Sequence, residues 1–115
     1  MKIAIAKEIQ VDERRVALVP DVAARLVKQG IEVWLEAGAG ERAFFSDATY
    51  EEVGVKVAGD GAALWRDADI VLKVGTIEDH EVDKLREGSI LIGFLNPLGN
   101  PGLVQKLADR KVTAF

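Results

Sequence analysis

Three groups of residues have the types and spacing that chemistry demands. Arg15, Lys73 and Asn96 each stand in a loop-like stretch at or just beyond a short β-rich run. An arginine and a lysine facing one crevice can clamp a carboxylate or phosphate, the guanidinium by bidentate hydrogen bonds and the ammonium as a point charge. The competing reading is that both are partly solvated or pair with neighbouring acids, Arg15 with an acid of its own loop such as Glu13. Gly38-Ala39-Gly40-Glu41-Arg42-Ala43 spells G-x-G-x-x-A, with Asp60 about 20 residues on, as a dinucleotide fingerprint requires. Yet it follows the second β-rich run rather than the first and leads into Phe44-Phe45-Ser46 instead of a helix. Gly38 and Gly40 are therefore expected to serve a tight turn, with Phe44 or Phe45 covering the sheet edge. His80, the only histidine, lies in Glu78-Asp79-His80-Glu81 and has no His or Cys partners; it is read as a surface residue, not a metal ligand. Spacing assigns no catalytic residue.

Composition narrows the function classes. The 115 residues, 49% hydrophobic and 30% charged, fit one globular domain over 1–115 without an internal boundary. With no cysteine, disulfides, thiol nucleophiles and cysteine-ligated metals are excluded. The 15 Lys and Arg are scattered among 19 Asp and Glu for a net charge of −4, so the basic stripe of a nucleic-acid binder is missing. The apolar run after Met1 reaches charge at Lys7-Glu8, too soon for a signal-peptide core or a membrane span. The reading is a soluble, cytoplasmic chain that does not insert into a membrane.

Positioning these residues requires an alternating fold. β-rich runs occur at Ile3 to Ala6, Ile31 to Glu36, Val55 to Ala58, Ile70 to Val74, Ile90 to Leu95 and Val112 to Phe115. Pro20-Asp21 opens a helix with Val22, Ala23, Leu26 and Val27 on one face and Gly30 at its end. Ser46 caps a short helix ending at Gly54, and a weaker one surrounds Ala62, Leu64 and Trp65. Thr76 with Asp79 reads as a capping box for a helix that buries Val82 and Leu85 and stops at Gly88. Asn100-Pro101 opens a helix with Leu103, Val104 and Leu107 buried. The runs at Ile70 and Ile90 are almost continuously apolar, as strands are when helices cover both faces of a parallel sheet. This predicts an α/β, three-layer doubly wound, mainly parallel sheet of Rossmann-like or flavodoxin-like type in the order 3-2-1-4-5-6, with a ligand crevice beyond the first and fourth strands.

Taken together, Lys7-Glu8, Arg15-Val16-Ala17 with Pro20, Glu36 to Gly40, Ala68 to Val74, and Asn96-Pro97 through Asn100-Pro101 to Gln105-Lys106-Leu107 resemble the N-terminal domain shared by alanine dehydrogenases and the alpha subunit of proton-translocating NAD(P) transhydrogenase. The resemblance covers the whole chain. It implies an NAD(H)-binding subunit, usually dimeric, that docks on a membrane-embedded proton channel and presents NADH to NADP+ held on another component. It also implies that the dinucleotide is held mainly by a second domain, absent from these 115 residues, so that this chain alone binds no cofactor and is inactive.

The resemblance also separates the two chemistries. Alanine dehydrogenases use an arginine, a lysine and a histidine on a 2-oxo acid. Arg15 matches the arginine, but the lysine position carries Gly75 and the histidine position Asn96. Asparagine cannot shuttle a proton and glycine brings no charge, whereas hydride transfer between two nicotinamides leaves no alkoxide to protonate. The transhydrogenase reading leads; a domain of an alanine or opine-type amino-acid dehydrogenase using Arg15 and Lys73 on a carboxylate is the alternative, and an autonomous, non-enzymatic dimerisation module the third. The isolated chain is expected not to bind NADH tighter than about 10 μM, roughly −7 kcal/mol. Calorimetric titration checks this: tighter binding abolished by enlarging Gly38 or Gly40 restores the fingerprint reading.

Overall fold

The computed structural model describes residues 1–94 and 101–115. Its strands are β1 (Lys2–Ile5), β2 (Glu32–Glu36), β3 (Lys56–Ala58), β4 (Ile70–Leu72), β5 (Ile90–Ile92) and β6 (Thr113–Ala114). Between them lie α1 (Pro20–Lys28), a 3-10 turn (Glu41–Ala43), α2 (Asp47–Glu52), α3 (Gly61–Asp67), α4 (Asp79–Val82) and α5 (Pro101–Asp109). All six strands form one sheet in the order β3-β2-β1-β4-β5-β6, every pairing parallel. This is the expected order.

Local chemistry explains the helix ends. Pro20 opens α1, Asp21 lies in its first turn, and Arg25 and Lys28 lie towards its end, each sign complementing the helix dipole. At its close Ile31 N–H donates to Leu26 O and Gly30 N–H to Val27 O, with Gly30 at φ +84°, the Schellman arrangement. The end of α5 repeats this pattern with Lys111 at φ +58° in the glycine position. Ser46 caps α2 and Asp60 caps α3, each accepting from the N–H three residues on. For α5, the first described residue is Pro101; the Asn100 cap lies outside the described residues.

Alternation along the strands divides the interior into two cores. Ala4, Ala6, Val71 and Leu91 face α3, α4 and α5 and pack with Trp65, Ile77, Val82, Leu85, Leu103 and Leu107. Ile5, Val33 and Leu35 face α1 and α2 and pack with Ala23, Tyr50 and Val55. The far faces of β4 and β5 differ from expectation: Ile70, Leu72, Ile90 and Ile92 belong to neither core, and Ile92 is 42% exposed.

Several expectations need correction. β4 ends at Leu72, before Val74, and β6 spans only Thr113–Ala114. Val22 and Val104 point outward, because each lies at the solvent margin of its helix's apolar stripe. The expected helix from Thr76 to Gly88 reduces to the single turn Asp79–Val82, and its start is at Glu78, whose N–H donates to Glu81 Oε1 at 2.9 Å. Val82 and Leu85 are nevertheless buried. Phe44 covers nothing, being 91% exposed, while Phe45 packs edge-on against the Tyr50 ring rather than over a sheet edge.

Tyr50 is fully buried and donates its hydroxyl to Leu18 O at 2.8 Å, tying α2 to the segment before α1. Gly40 leaves room for it. A Cβ there would lie 2.6 Å from the Tyr50 ring and 2.7 Å from Phe45 O. Gly40→Ala is therefore expected to destabilise the fold by about 1–3 kcal/mol, as overpacking does, measured by urea unfolding.

Candidate functional site

β1 and β4 are neighbours whose connections leave in opposite directions, so a crevice forms beyond their carboxyl ends. Three elements line it: the loop after β1, the loop after β2 and the residues just past β4.

At its root is a buried charge cluster. Lys73 follows β4 directly, and its side chain is 1% exposed. Its ammonium donates to Glu8 Oε1 at 3.0 Å and lies 3.7 Å from Glu81 Oε2. Glu8 also accepts from the Gly75 N–H on Oε1 and the Val74 N–H on Oε2, each at 2.8 Å. Its carboxylate thus satisfies three donors from three consecutive residues. Glu81 is less well served: Oε1 accepts from Glu78 N–H, while Oε2 has no hydrogen-bond partner among the described residues. Burial pushes the Glu81 carboxyl above the ordinary range, opposed in part by the Glu78 N–H and by Lys73.

The loop after β1 is tied at its far end too. Glu13 grips the Arg15 guanidinium with both oxygens, at 2.8 and 2.9 Å, and accepts from the Arg15 N–H at 3.0 Å. These bonds hold the Glu13 carboxyl down to about 2. Arg42, from the loop after β2, donates to Gln10 O at 3.0 Å and Glu13 O at 3.3 Å. Between the two loops lies a cleft of about 250 Å³ with Lys7, Arg15, Gly38, Glu41 and Arg42 in its walls.

The structure does not bring the sequence-derived candidates into one clamp. Arg15 lines this cleft with its side chain 68% exposed and already bound to Glu13. Lys73 borders a second, more apolar cleft with Ala17, Ile92 and Phe94, and its ammonium is turned inward to the acids. Asn96 lies outside the described residues. Acid pairing, the competing reading for Arg15 and Lys73, is the arrangement found.

In the Gly38 loop four backbone N–H groups are already engaged within the chain. Gly38, at φ +81°, donates its N–H to Asp47 at 3.0 Å, and the N–H groups of Ala39, Glu41 and Ala43 bond to Glu36, Gly38 and Gly40 carbonyls. Asp60, the residue placed to meet a ribose, caps α3 instead. His80 is exposed, 3.4 Å from the Glu78 carboxylate. Among the described residues no group of three or more His, Cys, Asp or Glu is arranged for a metal, and no helix is long and apolar enough to cross a membrane.

Sheet order and switch-point crevice define a doubly wound, Rossmann-like α/β domain. More specifically, the chain belongs to the alanine dehydrogenase/PNT N-terminal domain family, whose signature matches residues 4–115. It is 42% identical over 115 residues to an alanine dehydrogenase of Halomonas elongata, covering 100% of this chain and 31% of that protein. It is also 42% identical over 113 residues to NAD(P) transhydrogenase subunit alpha of Cereibacter sphaeroides, covering 98% and 22% respectively. The transhydrogenase structure from Sinorhizobium meliloti superposes with a TM-score of 0.94 at 33% identity, over 100% of this chain and 34% of that one. An L-alanine dehydrogenase structure gives the same TM-score at 31% identity, over 99% and 31%. The chain thus spans about a third or less of each of these relatives.

Lys73→Met is expected to cost about 3–5 kcal/mol, because it strands two buried carboxylates without their cation. Glu81→Gln should cost far less, since Glu81 Oε2 gives up no hydrogen bond. A carboxyl with a raised folded-state pKa favours folding below its ordinary range and loses that contribution as pH rises through the raised value. The wild type should lose stability over that window and Glu81→Gln should not, as urea unfolding across pH measures.

Proposed function

We propose that this chain is the supporting domain of the NAD(H)-binding alpha subunit of an NAD(P) transhydrogenase, which moves hydride between NADH and NADP+ coupled to proton translocation. The observation that carries the reading is the environment of Gly75. The resemblance places the functional lysine of alanine dehydrogenases at this position. Here the Gly75 N–H is bound to Glu8, and a Cβ would lie 3.1 Å from both Glu8 Oε1 and Gln10 Oε1. A lysine there would need both side chains to give way.

Two further features agree with it. Lys73 is committed to Glu8 and Arg15 to Glu13, so neither is an unpaired cation awaiting a 2-oxo acid. Asn96 at the histidine position offers no proton shuttle, and transfer between two nicotinamide rings needs none. On this reading the dinucleotide is held by the rest of the subunit, because the Gly38, Ala39, Glu41 and Ala43 N–H groups of the Gly38 loop are already bound within the chain. Bound NAD(H) would supply the hydride; this domain's residues shape and brace the crevice beside it. The partners are a second copy, the membrane proton channel and the NADP-binding component, with the domain on the cytoplasmic side. The alternative, an alanine dehydrogenase domain, rests on the 42% identity to the Halomonas enzyme, which equals the identity to the Cereibacter transhydrogenase subunit.

NMR titration of the chain with pyruvate is expected to give no saturable shifts at Arg15, Lys73 and Asn96. The complete protein, supplied with its NADP-binding partner, is expected to pass hydride from NADH to an NADP+ analogue and to form no NADH from alanine and NAD+. Alanine-dependent NADH formation, or localised pyruvate shifts, would transfer the assignment to the dehydrogenase.

A further inference from the structure

Lys73-Val74-Gly75 aims three donors at one point. The Lys73 ammonium and the Gly75 N–H meet Glu8 Oε1 at 3.0 and 2.8 Å, and the Val74 N–H meets Oε2 at 2.8 Å. Successive N–H groups turned the same way make an anion-binding concavity, and a buried ammonium strengthens it. Lys73, the first residue of the set, is also held by contacts that do not involve Glu8. The Lys73 N–H donates to Ile92 O at 2.9 Å. The Lys73 carbonyl lies so close to Gly93 that a Cβ there would be 2.6 Å away. The ammonium has Glu81 3.7 Å off on another side. A set fixed in advance costs little to fill.

We infer that residues 73–75 form a receptor for a small monocarboxylate and that the Glu8 side chain is its resident ligand. A carboxylate suits the donors because its two oxygens divide them as Glu8 does, whereas a single-centre anion such as chloride offers no second acceptor atom to divide them. Tethering gives Glu8 a high effective concentration, so a free acid competes poorly in the intact chain. Glu8 also anchors the loop that carries Glu13 and Arg15. An external carboxylate in its place therefore releases that loop from β4. The inference is independent of which hydride acceptor the complete protein serves.

Glu8→Ala removes a CH2–COO− group, the bulk of one acetate. Sodium acetate is expected to raise the thermal midpoint of this variant saturably above that in sodium chloride of equal ionic strength. The gain should be roughly tenfold in the folded-to-unfolded ratio when acetate is at ten times its dissociation constant. Benzoate, too large for the space, should give no such gain, and the wild type should not respond to acetate. A folded Glu8→Ala chain with the same midpoint in acetate and chloride overturns the inference. If Glu8→Ala is unfolded in chloride, acetate is expected to restore the folded circular dichroism spectrum, and failure to do so counts against the receptor. Glu8→Gln gives an independent reading: its neutral amide should move the Val74 and Gly75 amide protons upfield, and unmoved signals would overturn Glu8 as the occupant.

Discussion

The Glu8 carboxylate bridges two halves of the sheet where the backbone ladder has ended. β1 and β4 are hydrogen-bonded neighbours, but beyond Ala6 and Leu72 their chains diverge to opposite faces. A crevice at such a point is open unless side chains close it. Glu8 does so by accepting from Lys73, Val74 and Gly75 at once, and its own burial is tolerable only because those bonds replace water. Arg42 braces the far end of the same loop through Gln10 O and Glu13 O. The shape of the cleft and the pairing of Arg15 with Glu13 follow from a loop held at both ends.

The sheet order was legible because alternating apolar runs and helix punctuation leave few right-handed solutions. Pro20 and Ser46 announced helix starts through chemistry local to each residue, whereas Asp60, read as a fingerprint acid, caps α3. The site was less legible because its interactions are not local. Lys73 sits in the apolar run Ile70 to Val74, which hints at burial, but its acidic partner is 65 residues earlier. Glu81 lies in a run of charges that reads as a solvated face, yet it is 1% exposed. Tyr50 gave no periodic signal at all, since its value lies in one hydroxyl contact and in the absence of a side chain at Gly40. Position 75 was readable only through resemblance, and its packing only through the fold.

The same scaffold accommodates two chemistries. Superposition on a transhydrogenase and on an L-alanine dehydrogenase is equally close, so architecture does not choose between them. On the proposed reading the difference lies in what a few crevice positions must neutralise. An unpaired lysine and arginine need a substrate carboxylate, whereas here both cations are neutralised by acids of the chain itself.

The central place of β1 also has a meaning during synthesis. None of the strand pairs is a hairpin, so each edge waits for a crossover to be completed. β1 is made first and gains β2 at Glu32, but its other edge stays open until Ile70 to Leu72 have emerged. At about 5–20 residues per second this leaves an apolar edge unpaired for several seconds on the ribosome. Lys2 and Lys7 bracket the Ile3 to Ala6 run, and charges flanking a hydrophobic strand discourage intermolecular pairing. Lys2 and Lys7 thus stand where gatekeeper charges are placed, beside an edge that stays open until β4 is made.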